Sequence, residues 1–287
     1  MHFIPSDRRP ITAALLLLLA ALSGCSSMPQ KPDSGNKSGA DLLDVPDTPL
    51  VRFGKGTPPV VLQAGLGDSK KTWKNVLQPL AAEHLVVAID RPGRNGLADA
   101  DTPRDPCSIA REQHALLREA GITPPYLLVG HSLGGLYQFV YAKLYPQEVA
   151  GIVLLDPTPP HHWTRIQREA PSAAALLKTL RVVAFSRTDR AEFDDQETCL
   201  DTLDLQTPLA KPAKVLVAGR LRPEEKGDFE KMMKQSCRDW ARLTGIAALD
   251  VVWDSGHFIQ KDGPEDVIDA VRQVSTPTHD SSFAERK

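Results

Sequence analysis

Gly130-His131-Ser132-Leu133-Gly134-Gly135 sets one serine between two glycines at the spacing of a single sharp turn. The apolar run Tyr126-Leu127-Leu128-Val129 before it predicts a buried strand, and residues 136–142 after it predict a helix. A serine at the apex of a strand-to-helix turn has its hydroxyl thrust out of a strained backbone toward substrate. The start of the following helix offers backbone N–H groups to a developing oxyanion. Glycine is required on either side, because a side chain there would collide with the neighbouring strand or helix. A bare G-x-S-x-G recurs by chance, so weight comes from the strand, the helix and a histidine far downstream. That histidine is His257, in Ser255-Gly256-His257-Phe258-Ile259-Gln260.

The elements around these residues alternate. Pro59-Val60-Val61-Leu62-Gln63 and Leu85-Val86-Val87-Ala88-Ile89 read as strands joined by a helix over 72–82. A helix over 108–120 follows, then the strand at Tyr126 and the serine's helix, ending near Tyr145. Further strands are expected at 152–155, 214–218 and 250–253, and a last helix at 264–274 opens on a proline. Unbroken rather than alternating apolar character means strands covered on both faces. Strand–helix alternation then gives an α/β fold, a doubly wound and mostly parallel sheet. One interval breaks the rhythm. Residues 157–211 hold no clear core strand apart from the short run Val182-Val183-Ala184-Phe185, which suggests a small inserted cap of short helices beginning at His161-His162-Trp163.

The ends read differently. Arg8 and Arg9 precede an apolar stretch over 11–22 that is short for a bilayer span, and Leu22-Ser23-Gly24-Cys25 closes it. This ending resembles a bacterial lipobox, which makes 1–24 a signal peptide and Cys25 the lipidated first residue of the mature chain. An ordinary signal peptide and an uncleaved anchor are the competing readings. With Ser26 rather than aspartate next, the resemblance implies a lipid-anchored protein of the bacterial cell envelope, on the periplasmic side of the outer membrane. Residues 25–47 are rich in Ser, Pro, Lys, Asp and Gly and read as a flexible tether; 276–287 form a polar tail. The domain between, 48–275, is long enough for one large core.

The formal charge is −2, and discarding Asp7, Arg8 and Arg9 makes it −3. With no basic stripe, nucleic acid is not an expected partner. Cys107, Cys199 and Cys237 remain once Cys25 is assigned to lipid, and their spacing fits no zinc pattern. One disulfide and one free thiol is the simplest expectation, with Cys199–Cys237 as the favoured pair.

Taken together, the motifs resemble the serine hydrolases of the α/β-hydrolase superfamily over about 51–274. Beside the serine turn, Asp90-Arg91-Pro92-Gly93 is similar to the D-R-x-G segment after that family's fourth strand. The loop of His257, followed by Pro264-Glu265-Asp266-Val267, is similar to the one carrying its catalytic histidine. The resemblance implies Ser132 as nucleophile and His257 as its base. Leu133 N–H is one oxyanion donor, and Leu66 N–H, in Gln63-Ala64-Gly65-Leu66-Gly67, is the second. The acid is open. No aspartate follows the strand where the family usually places it; Glu224 and Glu225 are the nearest, while Asp156, ending an earlier strand in Leu154-Leu155-Asp156-Pro157, occupies a position some members use.

The resemblance therefore predicts cleavage of a small-molecule carboxylic ester, thioester or lactone through an acyl-enzyme, with no metal or organic cofactor. Serine at the apex departs from the epoxide hydrolase and dehalogenase branches, which use aspartate there. Two alternatives stand: hydrolysis of a C–C or amide bond on the same scaffold, and a non-catalytic envelope-binding lipoprotein with a vestigial triad.

Overall fold

A computed structural model of the chain describes residues 43–276. The signal segment, the Cys25 lipidation site, the tether up to 42 and the tail from 277 lie outside the described residues. Strands β1 (Leu50–Phe53), β2 (Val60–Gln63), β3 (Val86–Ile89), β4 (Tyr126–His131), β5 (Val149–Leu155), β6 (Ala213–Ala218) and β7 (Asp250–Val252) form one sheet in the order β1-β3-β2-β4-β5-β6-β7. Only β1 runs antiparallel; every other neighbouring pair is parallel.

Successive residues of the central strands serve two separate cores. Val60, Leu62, Val86, Ala88, Leu127 and Val129 face helices α1 (Lys74–Ala81) and α9 (Pro264–Ser275), through Val76, Leu77, Val267 and Val271. Val61, Val87 and Leu128 face the opposite layer, α2 (Pro106–Glu119) and α3 (Leu133–Leu144), through Ile109, Leu117, Leu136 and Val140. That division is why the strands are apolar throughout: a period of two distributes side chains between two dry faces rather than between core and water.

Between β5 and β6 the chain builds α4 (His162–Glu169), α5 (Pro171–Val183) and α6 (Arg187–Asp195). Ile166 and Ala174 share a small third core with Met232 of α7 (Asp228–Thr244), the helix between β6 and β7. The run Val182–Phe185 is not strand: it ends α5 and begins the next turn, with Val182 and Val183 67% and 64% exposed. The helix before β3 starts as a 3₁₀ turn at Lys70. Among the described residues no helix is long and apolar enough to cross a membrane.

The favoured cysteine pairing is wrong. Cys107 bonds Cys199, with Cα atoms 6.1 Å apart, and Cys237 is free. Asp105 caps the start of α2 by accepting from Cys107 and Ser108 N–H, both at 3.0 Å, which fixes Cys107 at a helix end. The chain leaving α6 passes over that end, where Cys107 N–H also approaches Cys199 Sγ at 3.1 Å. Cys237 lies instead on α7, and burial raises its thiol above the ordinary value.

Candidate active site

β4 stops at His131 and α3 begins at Leu133, leaving Ser132 alone in the turn at φ 53°, ψ −123°. A non-glycine residue pays strain in this region, and the surroundings hold it there. Ser132 N–H donates to Leu155 O at 3.0 Å, and its carbonyl accepts from Gly135 N–H at 2.9 Å and Thr158 N–H at 3.0 Å. The glycines answer to close approach: a Cβ on Gly130 would lie 2.4 Å from Gly134 O, and one on Gly134 would lie 2.3 Å from Gln63 O. Leu133 opens α3, so its N–H has no acceptor within the helix.

His257 lies in the loop between β7 and the short helix α8 (Ile259–Asp262). Its Nδ1 is 2.7 Å from Asp156 Oδ2. Asp156 follows β5 directly, at φ 42°; its N–H donates to Leu216 O at 2.7 Å, and its Oδ1 accepts from Ala218 N–H at 3.3 Å. Trp240 of α7 fixes the next residue by donating Nε1–H to Pro157 O at 3.1 Å. With its proton held on Nδ1 by a carboxylate, a neutral His257 keeps a basic lone pair on Nε2. Of the alternative acids, Glu225 is engaged by Arg222, whose N–H and Nη2 donate to its two oxygens at 2.8 and 2.6 Å; the side chain of Glu224 lies outside the described residues.

Two further histidines close around this pair, and sequence reasoning gave neither a role. His131, the variable residue of the G-x-S-x-G turn, is buried, with its ring centroid 4.6 Å from that of His257. Burial and the neighbouring His257 hold its imidazole well below the ordinary value, so it is neutral. Its Nε2–H then donates to the His257 carbonyl at 2.8 Å, tying the histidine loop to the residue before Ser132. His162, at the start of α4, is pushed down to about 4 by burial and Arg165, with the charge of Asp156 opposing.

The turn Gln63-Ala64-Gly65-Leu66-Gly67 leaves β2 toward Ser132: a Cβ on Gly65 would lie 3.1 Å from Ser132 Cβ. Arg91, just past β3, holds this turn. Its Nη1 donates to Ala64 O at 2.7 Å and Gln63 Oε1 at 2.9 Å, and its Nη2 donates to Gly65 O at 2.8 Å. Its other edge grips Glu192 of α6 at 2.8 and 2.9 Å. Burial disfavours the guanidinium, but Glu192 more than offsets this and keeps it charged. Asp90 accepts from both the N–H and Nζ of buried Lys70, at 2.6 and 2.5 Å. The D-R-x-G segment thus organises the loops around the serine. The grouping of Asp105, Cys107 and Cys199, which has metal-ligand proximity, is already accounted for by the disulfide and the helix cap.

A sequence profile described as "Alpha/beta hydrolase family" matches residues 60–270. The chain belongs to the α/β hydrolase family. Curated relatives of this α/β hydrolase include "Putative carbamate hydrolase RutD" of Azorhizobium caulinodans, 29% identical over 36% of this chain and 38% of that protein. The chain spans less than half the length of the curated relatives it matches. Among solved structures, a thermophilic esterase from Thermogutta terrifontis with malate bound is 20% identical, TM-score 0.54, covering 78% of this chain and 93% of that one. Epoxide hydrolase CorEH is 21% identical, TM-score 0.56, covering 78% and 93%. At such identities the structural likeness establishes the fold of the α/β hydrolase and nothing finer.

Proposed function

We propose that this α/β hydrolase is a serine hydrolase cleaving a small carboxylic ester, thioester or lactone through an acyl-enzyme. The observation carrying the reading is the 2.7 Å contact of Asp156 with His257 Nδ1, beside a serine in the strained turn. In this reading Ser132 Oγ attacks the carbonyl carbon as its proton passes to His257 Nε2. The oxyanion is received by Leu133 and Leu66 N–H, and the leaving alkoxide or thiolate takes the proton back. Water, deprotonated by the same nitrogen, then releases the acid and frees the serine. Asp156 stabilises the imidazolium at both steps. No aspartate follows β6, but the contact of Asp156 with His257 supports a working triad over a vestigial one. A carbamate presents the same carbonyl carbon, and the name of the RutD relative is the reason to include one among test substrates.

The test is intact-mass analysis after fluorophosphonate treatment. One adduct is expected, absent in Ser132→Ala; labelling that survives the substitution would sink the assignment. A panel of chromogenic esters of increasing acyl length, with a carbamate alongside, then defines the substrate.

We also propose lipid on Cys25 and residence on the periplasmic side of the outer membrane. The Cys107–Cys199 disulfide supports an oxidising compartment. Cys25→Ser should leave the precursor unprocessed or release the protein from membranes; mature wild-type protein beginning elsewhere would refute it.

A further inference from the structure

Leu66 N–H belongs to the peptide whose oxygen is Gly65 O. In a planar trans peptide the C=O and N–H point in opposite directions, so whatever anchors the oxygen aims the hydrogen. Gly65 O accepts from Arg91 Nη2 at 2.8 Å and from Asp68 N–H at 3.3 Å. The preceding carbonyl, Ala64 O, is held by Arg91 Nη1 at 2.7 Å. One guanidinium therefore fixes two successive peptide planes of the turn that faces Ser132. A charged donor on a carbonyl also polarises the amide, making its N–H a stronger donor.

The guanidinium is itself held from the far side. Glu192, fully buried in α6, takes Arg91 Nε and Nη2 side-on at 2.8 and 2.9 Å, and Arg94 adds a weaker contact at 3.4 Å. Arg94 also pairs with Asp189 one turn earlier. The helix gripping the guanidinium lies in the insertion between β5 and β6, far in sequence from the turn whose carbonyls the guanidinium aims.

We infer that Arg91 and Glu192 are positioning residues: they orient the Leu66 N–H toward the oxyanion and make its alignment depend on how the helical insertion is seated. This rests on the acyl-enzyme reading above. Three of the five guanidinium hydrogen bonds go to the turn, two of them to main-chain oxygens. Lysine cannot reproduce this, since a single ammonium lacks the planar fork that spans two carbonyls and a carboxylate.

The experiment compares full-length wild type, Arg91→Lys and Glu192→Gln for kcat and KM on a p-nitrophenyl ester and for the rate of fluorophosphonate labelling. Unfolding temperature is followed in parallel. Labelling at phosphorus develops negative charge on oxygen as acylation does. Arg91→Lys should lower kcat and the labelling rate together by about 10-fold or more, within the roughly 10²–10³-fold cost of losing an oxyanion donor outright. KM should stay within about twofold. Glu192→Gln, which keeps the arginine but loosens its far edge, should show the same pattern in smaller measure. A folded Arg91→Lys enzyme with wild-type kcat and labelling rate overturns the inference, as does a loss confined to KM. If Arg91→Lys does not fold, Glu192→Gln decides on the same readings; if neither folds, the pair is scaffold and the inference fails. Wild-type protein that does not label at Ser132 sinks the acyl-enzyme reading, and this one with it.

Discussion

Asp156 Oδ2 lies 2.7 Å from His257 Nδ1, although the aspartate directly follows β5 and the histidine follows β7, 101 residues later. Strand order joins them: β6 lies between β5 and β7, and Ala218 at its end donates N–H to the other oxygen of Asp156. Asp156→Asn keeps an acceptor for Ala218 but loses the anion facing the imidazole. By analogy with serine proteases, kcat should fall on the order of 10⁴-fold. KM should change little, because the acid matters most once the ring is charged. Steady-state kinetics on one ester checks this, and a loss under tenfold would show that another group orients His257.

The sheet was legible in the sequence because its strands are dry on both faces, and such runs stand out at Val60-Val61-Leu62 or Val86-Val87-Ala88. β1 escaped notice: Leu50-Val51-Arg52-Phe53 is a four-residue edge strand with one exposed position, and carries no comparable signal. α7 escaped as well, since 17 mostly polar residues bury one narrow stripe, including Met232, Trp240 and Leu243. The turn at Ser132 and the loop at His257 are local patterns. Choosing among Asp156, Glu224 and Glu225 depends on which strands are neighbours, and the cysteine pairing depends on where the insertion returns to α2. Neither is encoded in a short window. Arg91 was visible as part of a motif, but its grip on Ala64 and Gly65 exists only in three dimensions.

Gly134→Ala would place a Cβ 2.3 Å from Gln63 O and 2.4 Å from Ala64 O, both backbone atoms with nowhere to retreat. The start of α3 must then move away from the turn carrying Leu66. A stability loss of about 1–3 kcal/mol is expected from such overpacking. Activity in the folded fraction should fall by more than that loss explains, since both proposed oxyanion donors, Leu133 and Leu66 N–H, would be displaced. Urea denaturation alongside kcat separates the two effects.

The Cys107–Cys199 bond closes a sequence separation of 92 residues that includes β4, β5 and the whole α4–α6 insertion. Removing it with the double change Cys107→Ser, Cys199→Ser should cost about 2–5 kcal/mol, by chain-entropy arguments for long loops. Peptide mapping without reduction should recover these two cysteines linked and Cys237 alkylated. Recovery of a Cys199–Cys237 peptide would contradict the fold around α2.

His131 gives stability a pH dependence of definite sign. Burial, then His257, lower its folded value well below the ordinary 6.5, whereas the unfolded chain titrates normally. Above about pH 6.5 both states are neutral there and the contribution is complete. As pH falls below that value the unfolded chain takes up a proton that the folded protein refuses, so stability declines. For one such group the slope approaches about 1.4 kcal/mol per pH unit. His162, also lowered, adds to the decline with the same sign. His131→Gln removes the titration while its amide N–H can still donate to the His257 carbonyl. Wild type and His131→Gln should therefore converge toward acid pH in urea midpoints, the variant showing the shallower decline below pH 6.5. Parallel pH profiles for the two proteins would mean that His131 titrates no differently in the folded and unfolded states.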